Sequence, residues 1–150
     1  MNLITLTNPQ SAAAEAYRTL RTNLYFATLD SPIKTLVVTS PATGEDKTSV
    51  LANLAVVMAQ AFKKVIAVDA DLRQPSLHEA FGLKNERGLA DVLSDSTPVN
   101  QLPLLATSVS GLSIMTGGAK RATSLDLIDS SRMRETIKAL SKQADIVLFD

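Results

Sequence analysis

Residues 36–49 read LVVTSPATGEDKTS, an apolar run that passes through a loop of small residues into Lys47-Thr48 and then into a helical pattern. Strand, tight loop, Lys-Thr and helix is an arrangement that holds nucleotide phosphates. Loop N–H groups and the helix N-terminus face the anion, the lysine reaches the terminal phosphates, and the hydroxyl binds Mg²⁺. On this reading Thr43, Gly44, Glu45, Asp46, Lys47, Thr48 and Ser49 form a nucleotide-binding loop. A second apolar run, Val65 to Val68, ends in Asp69-Ala70-Asp71. Carboxylates two residues apart on a strand point the same way, and hard oxygen donors at the C-terminal edge of a sheet suit Mg²⁺. The plainer reading is a solvated turn with an aspartate capping a helix. A third run, Ile146 to Phe149, leads into Asp150, which has the form of a second magnesium-binding or water-positioning carboxylate.

These groups work only if three strand ends meet, and the pattern of elements provides for that. Thr35 to Thr39 reads as a buried strand, and residues 47–62 as a helix with a buried stripe of Leu51, Leu54, Ala55, Met58 and Phe62. Short helices are expected near Ser76–Phe81 and Gly88–Leu93, and a third strand at Leu112–Met115. A helix opening at Asp126 or Ser130 runs to about Lys142, before a fourth strand over residues 144–149. Ahead of them, residues 3–6 read as a short edge strand and Ala12 to Leu29 as a helix. Tyr17, Leu20 and Leu24 give that helix a core face, and Glu15, Arg18 and Arg21 a face that is either solvated or shared with a partner. Apolar strands alternating with helices place the chain in the α/β class, as a parallel sheet covered on both faces.

Composition narrows the function classes. The 150 residues, 45% of them hydrophobic, suffice for one core, so residues 1–150 read as a single domain. Fifteen basic and fifteen acidic side chains cancel, which gives no global support for a nucleic-acid partner. The absence of cysteine excludes disulfides, thiolate metal sites and cysteine nucleophiles, and suits a reducing cytoplasm. No apolar run reaches the ~20 residues of a membrane span. A strand that stops at a carboxylate, as at Asp150, suggests a chain cut in mid-fold, the N-terminal part of a larger domain.

Together the motifs resemble the bacterial tyrosine kinases that govern capsule and exopolysaccharide production, over essentially the whole chain. That family's phosphate loop reads approximately S-x-x-P-G-E-G-K-S/T, against SPATGEDKT at Ser40–Thr48. Its D-x-D-x-R motif matches Asp69, Asp71 and Arg73. The following R-x-P-x-x-H-x-x-F-G-L-x-N-x-x-G-L matches from Arg73 through His78 and Phe81 to Leu89. Its E-x-x-R-x-x-R helix matches Glu15, Arg18 and Arg21. The resemblance implies a P-loop NTPase-like fold with ATP and Mg²⁺ as cofactors. Lys47 would hold phosphates, Thr48, Asp71 and Asp150 would organise Mg²⁺, and Asp69 would take the tyrosine proton or stabilise the attacking hydroxyl. It also implies a ring-type homo-oligomer built through the Glu15/Arg18/Arg21 helix. The activator would be a transmembrane polysaccharide co-polymerase, fused or separate, that holds the chain at the inner face of the membrane. The phosphoacceptor tail would lie beyond residue 150. Tyr17 and Tyr25 are not assigned that role, and His78 is assigned no catalytic one.

Two residues depart from the family pattern. Thr43 replaces a proline, and Asp46 replaces the glycine before the lysine. A glycine there is free to take positive φ, and aspartate in that conformation costs ~1 kcal/mol. A like charge about 4 Å from phosphate adds up to ~4 kcal/mol at an effective dielectric of ~20. Two alternatives follow. One is a scaffold of the same family impaired in nucleotide binding. The other is a partition- or septum-site-type dimeric ATPase switch, which is opposed by Ala42 where those proteins carry an extra lysine.

Overall fold

Five short runs form the sheet, and the alternating side chains of its central strands divide between two cores. The computed structural model describes residues 2–41, 46–62, 64–94, 97–119 and 124–150. Along the chain lie α1 (Ile4–Thr7), α2 (Ala12–Ala27), β1 (Thr35–Val37), α3 (Lys47–Ala59), β2 (Val65–Val68) and α4 (Leu77–Ala80). They are followed by α5 (Leu89–Leu93), β3 (Leu105–Ala106), β4 (Leu112–Met115), α6 (Ser124–Ile128), α7 (Ser131–Gln143) and β5 (Ile146–Phe149). Among the described residues the strand order is β1-β5-β2-β4-β3, parallel except for the β3–β4 pair. In β2, Val65 and Ala67 face the core under α3, while Ile66 and Val68 face the core under α5 and α7. Helices therefore cover both faces, as the continuous apolar runs predict.

The order β1-β5-β2 places the C-terminal ends of three neighbouring strands side by side, with Thr35 level with Val147 and Val65 level with Ile146. The loop after β1, the Asp69–Asp71 segment after β2 and Asp150 after β5 thus emerge at one edge. That edge is where open α/β sheets bind ligands. Ser11 caps α2 by accepting from the Ala14 N–H at 3.1 Å, and Ser130 caps α7 by accepting from the Met133 N–H at 3.2 Å. These caps set where the two long helices start. Beyond β4 the chain turns at Gly118 (φ 81°) and passes so close to Gly88 that a Cβ there would lie 2.0 Å from the Thr116 carbonyl.

Several expectations change. Residues 3–6 are not an edge strand, because Ile4–Thr7 form a helical turn held by a buried contact. The Thr5 N–H and hydroxyl both donate to Asn53 Oδ1, at 3.1 and 2.9 Å. With α1 and α2 over its outer side, α3 is buried on all sides and its apolar surface is not a single stripe. The strand expected to be buried over 35–39 is the three-residue β1 with one sheet neighbour, and Val37 is 66% exposed. Leu20 is exposed as well. The packed side of α2 is Ala14, Tyr17, Arg21, Leu24 and Thr28, where Arg21 lays its stem along α3 and donates to the Val57 carbonyl at 2.9 Å. Of the two starts expected for the helix that runs to about Lys142, Ser130 is the one observed, as the N-cap of α7. A separate short helix, α6, lies ahead of it, and β3 is an additional strand. Among the described residues no helix is long and apolar enough to cross a membrane.

Candidate functional site

Asp46 is the N-cap of α3. It has φ −73° and ψ 41°, an exposed side chain that makes no cap hydrogen bond, and a carbonyl that accepts from the Val50 N–H at 2.9 Å. The negative φ removes the conformational cost expected of a glycine replacement there. Burial first, and then the Asp46 charge, push the Tyr17 phenol above its ordinary value, so that carboxylate exerts its field toward α2. What remains against a bound phosphate is charge alone, in solvent, where a like charge about 4 Å away is worth ~1 kcal/mol. Asp46→Asn is therefore expected to strengthen Mg-ADP binding by about fivefold, as much as Asp46→Gly does. Calorimetric titration of both variants checks this, and a gain confined to the glycine variant would point to backbone geometry instead.

Lys47 opens α3 and extends its ammonium between two carboxylates, 3.1 Å from Asp71 Oδ2 and 3.2 Å from Asp150 Oδ1. Burial disfavours its charge, but Asp150 and then Asp71 outweigh that and raise its pKa above the ordinary lysine value. Burial likewise opposes the charge of Asp71, yet the Gln74 N–H, Lys47 and the Arg73 N–H bring it below the ordinary carboxylate range. Thr48 is buried, and its hydroxyl donates to Asp150 Oδ2 at 2.5 Å. The Asp150 N–H is fixed by the Val68 carbonyl at 2.9 Å, so β2 and β5 together aim its carboxylate at the start of α3.

Asp69 is fully buried. Its Oδ2 accepts from the Ser76 and Leu77 N–H groups at 2.8 and 2.9 Å, while Oδ1 has no partner among the described residues. Burial is the main reason its pKa rises to about 6, and the nearby Asp150 and Asp71 charges add to it. Ser76, which no motif pointed to, stands with its hydroxyl 3.2 Å from Thr48 Oγ1. Its position at the N-cap of α4 was the one local signal. A cleft of about 250 Å³ opens beside Lys47, lined by Val37, Val38, Asp71, Arg73, Ile128 and Asp150.

The structure thus brings Lys47, Thr48, Asp71 and Asp150 into direct contact, with Asp69 linked to Thr48 through Ser76. Ser49 lies a residue further along α3, its carbonyl accepting from Asn53 at 2.9 Å. Thr43, Gly44 and Glu45 lie outside the described residues. Arg18 pairs with Glu15 at 2.7 Å and also reaches the Pro9 carbonyl, on the exposed side of α2. Arg21 departs from the expected shared or solvated face by docking on α3.

Among the described residues no three His, Cys, Asp or Glu side chains form a ready metal cage. A hydroxyl and two carboxylates beside a lysine suit a Mg²⁺ that takes its remaining ligands from phosphate and water. The donor set therefore fits a magnesium nucleotide.

Comparison with known proteins agrees with this geometry. Residues 36–149 match the profile described as CbiA, the CobQ/CobB/MinD/ParA nucleotide binding domain. The tyrosine-protein kinase YwqD of Bacillus subtilis is 40% identical over 149 residues, spanning 99% of this chain and 62% of its own length. The kinase domain of the Escherichia coli tyrosine kinase ETK superposes with a TM-score of 0.92 at 31% identity, over 100% of this chain and 58% of that one. The septum site-determining protein MinD of Pyrococcus horikoshii, solved with Mg-ADP, superposes with a TM-score of 0.66 at 29% identity, covering 78% of this chain and 48% of that one. The chain thus spans less than two thirds of the length of each, and its homologues are bacterial tyrosine-protein kinases.

Proposed function

The chain belongs to the CobQ/CobB/MinD/ParA nucleotide-binding domain family, and on that premise we propose that it is the ATP-binding part of a bacterial protein-tyrosine autokinase of capsule or exopolysaccharide synthesis. The observation that carries this reading is Lys47 held between Asp71 and Asp150 with Thr48 against the same carboxylate. Residues 1–150 act as one P-loop domain. Lys47 and the N-terminus of α3 take the nucleotide phosphates, and Thr48, Asp71 and Asp150 hold Mg²⁺. When bound, that ion neutralises charge on the transferring phosphoryl group, which is the main demand of this reaction class.

Nucleotide phosphates entering the site draw Lys47 off the two carboxylates, which frees them for the cation. Asp69, with its raised pKa of about 6, is ionised at neutral pH yet more basic than an ordinary carboxylate, which suits it to receive a proton from an acceptor hydroxyl. The cleft beside Lys47, with an apolar side at Val37, Val38 and Ile128, is where an acceptor ring fits. On this reading the exposed Leu20, Tyr25 and Phe26 of α2 and Leu29 just beyond its end, with Glu15 and Arg18, form the contact between copies in a ring. A transmembrane co-polymerase, fused or separate, activates the ring at the inner face of the membrane.

Incubation with Mg-ATP and a tyrosine-containing peptide, read with a phosphotyrosine antibody, tests the reading. Phosphotyrosine is expected on the protein or the peptide, and none with Lys47→Met. Nucleotide binding without phosphotyrosine would favour a scaffold, the alternative that Asp46 keeps in view. ATP turnover without phosphotyrosine would favour a switch of the MinD type.

A further inference from the structure

The geometry points to Ser76 as a positioning residue that sets the Thr48 hydroxyl for its cation, an inference that rests on the magnesium-nucleotide reading above. Serine at a helix N-cap ordinarily uses its hydroxyl to accept from an N–H in the first turn. Ser76 caps α4 without any side-chain cap bond. Its hydroxyl is instead 3.2 Å from Thr48 Oγ1, across the sheet edge and 28 residues away in sequence. Its own N–H, together with that of Leu77, is held by the buried Asp69 carboxylate, so the start of α4 is anchored beneath Thr48.

The hydrogen-bonding capacity of Thr48 explains what this does. A threonine hydroxyl has one proton and two lone pairs, and an ionised carboxylate only accepts. The short contact with Asp150 Oδ2 therefore takes the Thr48 proton. Ser76 Oγ donates into one lone pair, which leaves a single lone pair of Thr48 free and fixes its direction. A cation bound by Thr48 meets an oxygen whose orientation is already set, with no rotamer search at the moment of binding. Asp150 and Ser76 thus hold Thr48 from two sides, the first through its proton and the second through its oxygen.

Ser76→Ala and Ser76→Thr test this in the intact chain, by calorimetric titration of ADP in Mg²⁺ and in EDTA, with the melting temperature measured alongside. Ser76→Ala is expected to reduce the gain in ADP affinity conferred by Mg²⁺ by about fivefold, the effect of one lost hydrogen bond. Affinity in EDTA stays at the parent value, the melting temperature falls only by the few degrees that one hydrogen bond costs, and Ser76→Thr, which keeps the hydroxyl, restores the gain. An unchanged Mg²⁺ gain in Ser76→Ala would overturn the inference. An equal loss with and without Mg²⁺ would do so too, since it marks a merely structural role. A parent protein whose ADP affinity does not respond to Mg²⁺ would overturn the nucleotide reading itself and this inference with it.

Discussion

Lys47→Met is expected to weaken Mg-ADP binding by at least about 100-fold, and to lower the melting temperature of the nucleotide-free protein as well. The first effect follows from removing a cation that makes charge-assisted contacts with phosphate. The second follows from what the lysine does while no nucleotide is bound. Its ammonium is the cation shared by Asp71 and Asp150, and the Asp150 side chain is fully buried. Methionine keeps much of the stem's packing but leaves two carboxylates facing each other near a third, Asp69. A buried partner left without its counter-charge costs ~3–5 kcal/mol. Lys47 and Asp71 are each more than a quarter exposed, so solvent screening reduces this to ~1–2 kcal/mol here. For a chain of this size that is a fall of about 3–6 °C. Calorimetric titration and a thermal melt of the same sample check both halves, and a variant that melts with the parent would show that the three-way ion pair adds nothing.

Asp69→Asn is expected to make the protein more stable at neutral pH while removing the carboxylate proposed above as the proton acceptor. The Asp69 pKa is about 6 in the folded chain, against ~3.9 for an unfolded aspartate. Because the folded value is the higher one, the stability contributed by Asp69 is complete below pH ~4 and is lost as pH rises through about 6. Two pKa units correspond to up to ~3 kcal/mol at pH 7 and above. Asparagine stays neutral, and its amide oxygen accepts from the Ser76 and Leu77 N–H groups as the carboxylate does. It also removes one of three clustered negative charges. Scanning calorimetry should therefore show Asp69→Asn melting above the parent at pH 7.5, by on the order of 5–10 °C, with the gap closing toward pH 4. Asp71 titrates in the opposite sense, its contribution present above pH ~4 and lost in more acidic solution, so the two groups separate along the pH axis. An Asp69→Asn protein that melts below the parent at pH 7.5 would mean that the two N–H bonds outweigh burial.

The parts of this fold legible in the sequence are those that local pattern controls. Runs such as VIAV and IVLF have no polar position that could face water, so they are strands buried on both faces, and their ends locate Asp69 and Asp150. Lys47-Thr48 is positioned by the strand-to-helix transition alone. Where the structure differs from the pattern, the cause is a neighbour that no local window contains. Ile4–Thr7 is a helical turn because Thr5 finds Asn53 on α3. The same Asn53 interrupts the apolar pattern of α3 yet is buried and fully engaged, with Thr5 on its oxygen and the Ser49 carbonyl on its nitrogen. The apolar character of LVV at β1 suggested burial, but an edge position leaves Val37 open. In α2 the pattern predicts a leucine in the core and an arginine facing outward, and the packing reverses them, because a long arginine stem covers α3 while its head reaches the Val57 carbonyl. Ser76 was invisible for a related reason, since its partner Thr48 is brought to it only by the sheet.

The central claim is that Lys47, Thr48, Asp71 and Asp150 form a magnesium-nucleotide site despite Asp46, and titration calorimetry of ADP in Mg²⁺ and in EDTA tests it most directly. One ADP per chain is predicted, at least about tenfold tighter with Mg²⁺ than without, as expected for two carboxylates and a hydroxyl gaining a shared cation. Absence of binding in both buffers, or binding indifferent to Mg²⁺, would contradict the account.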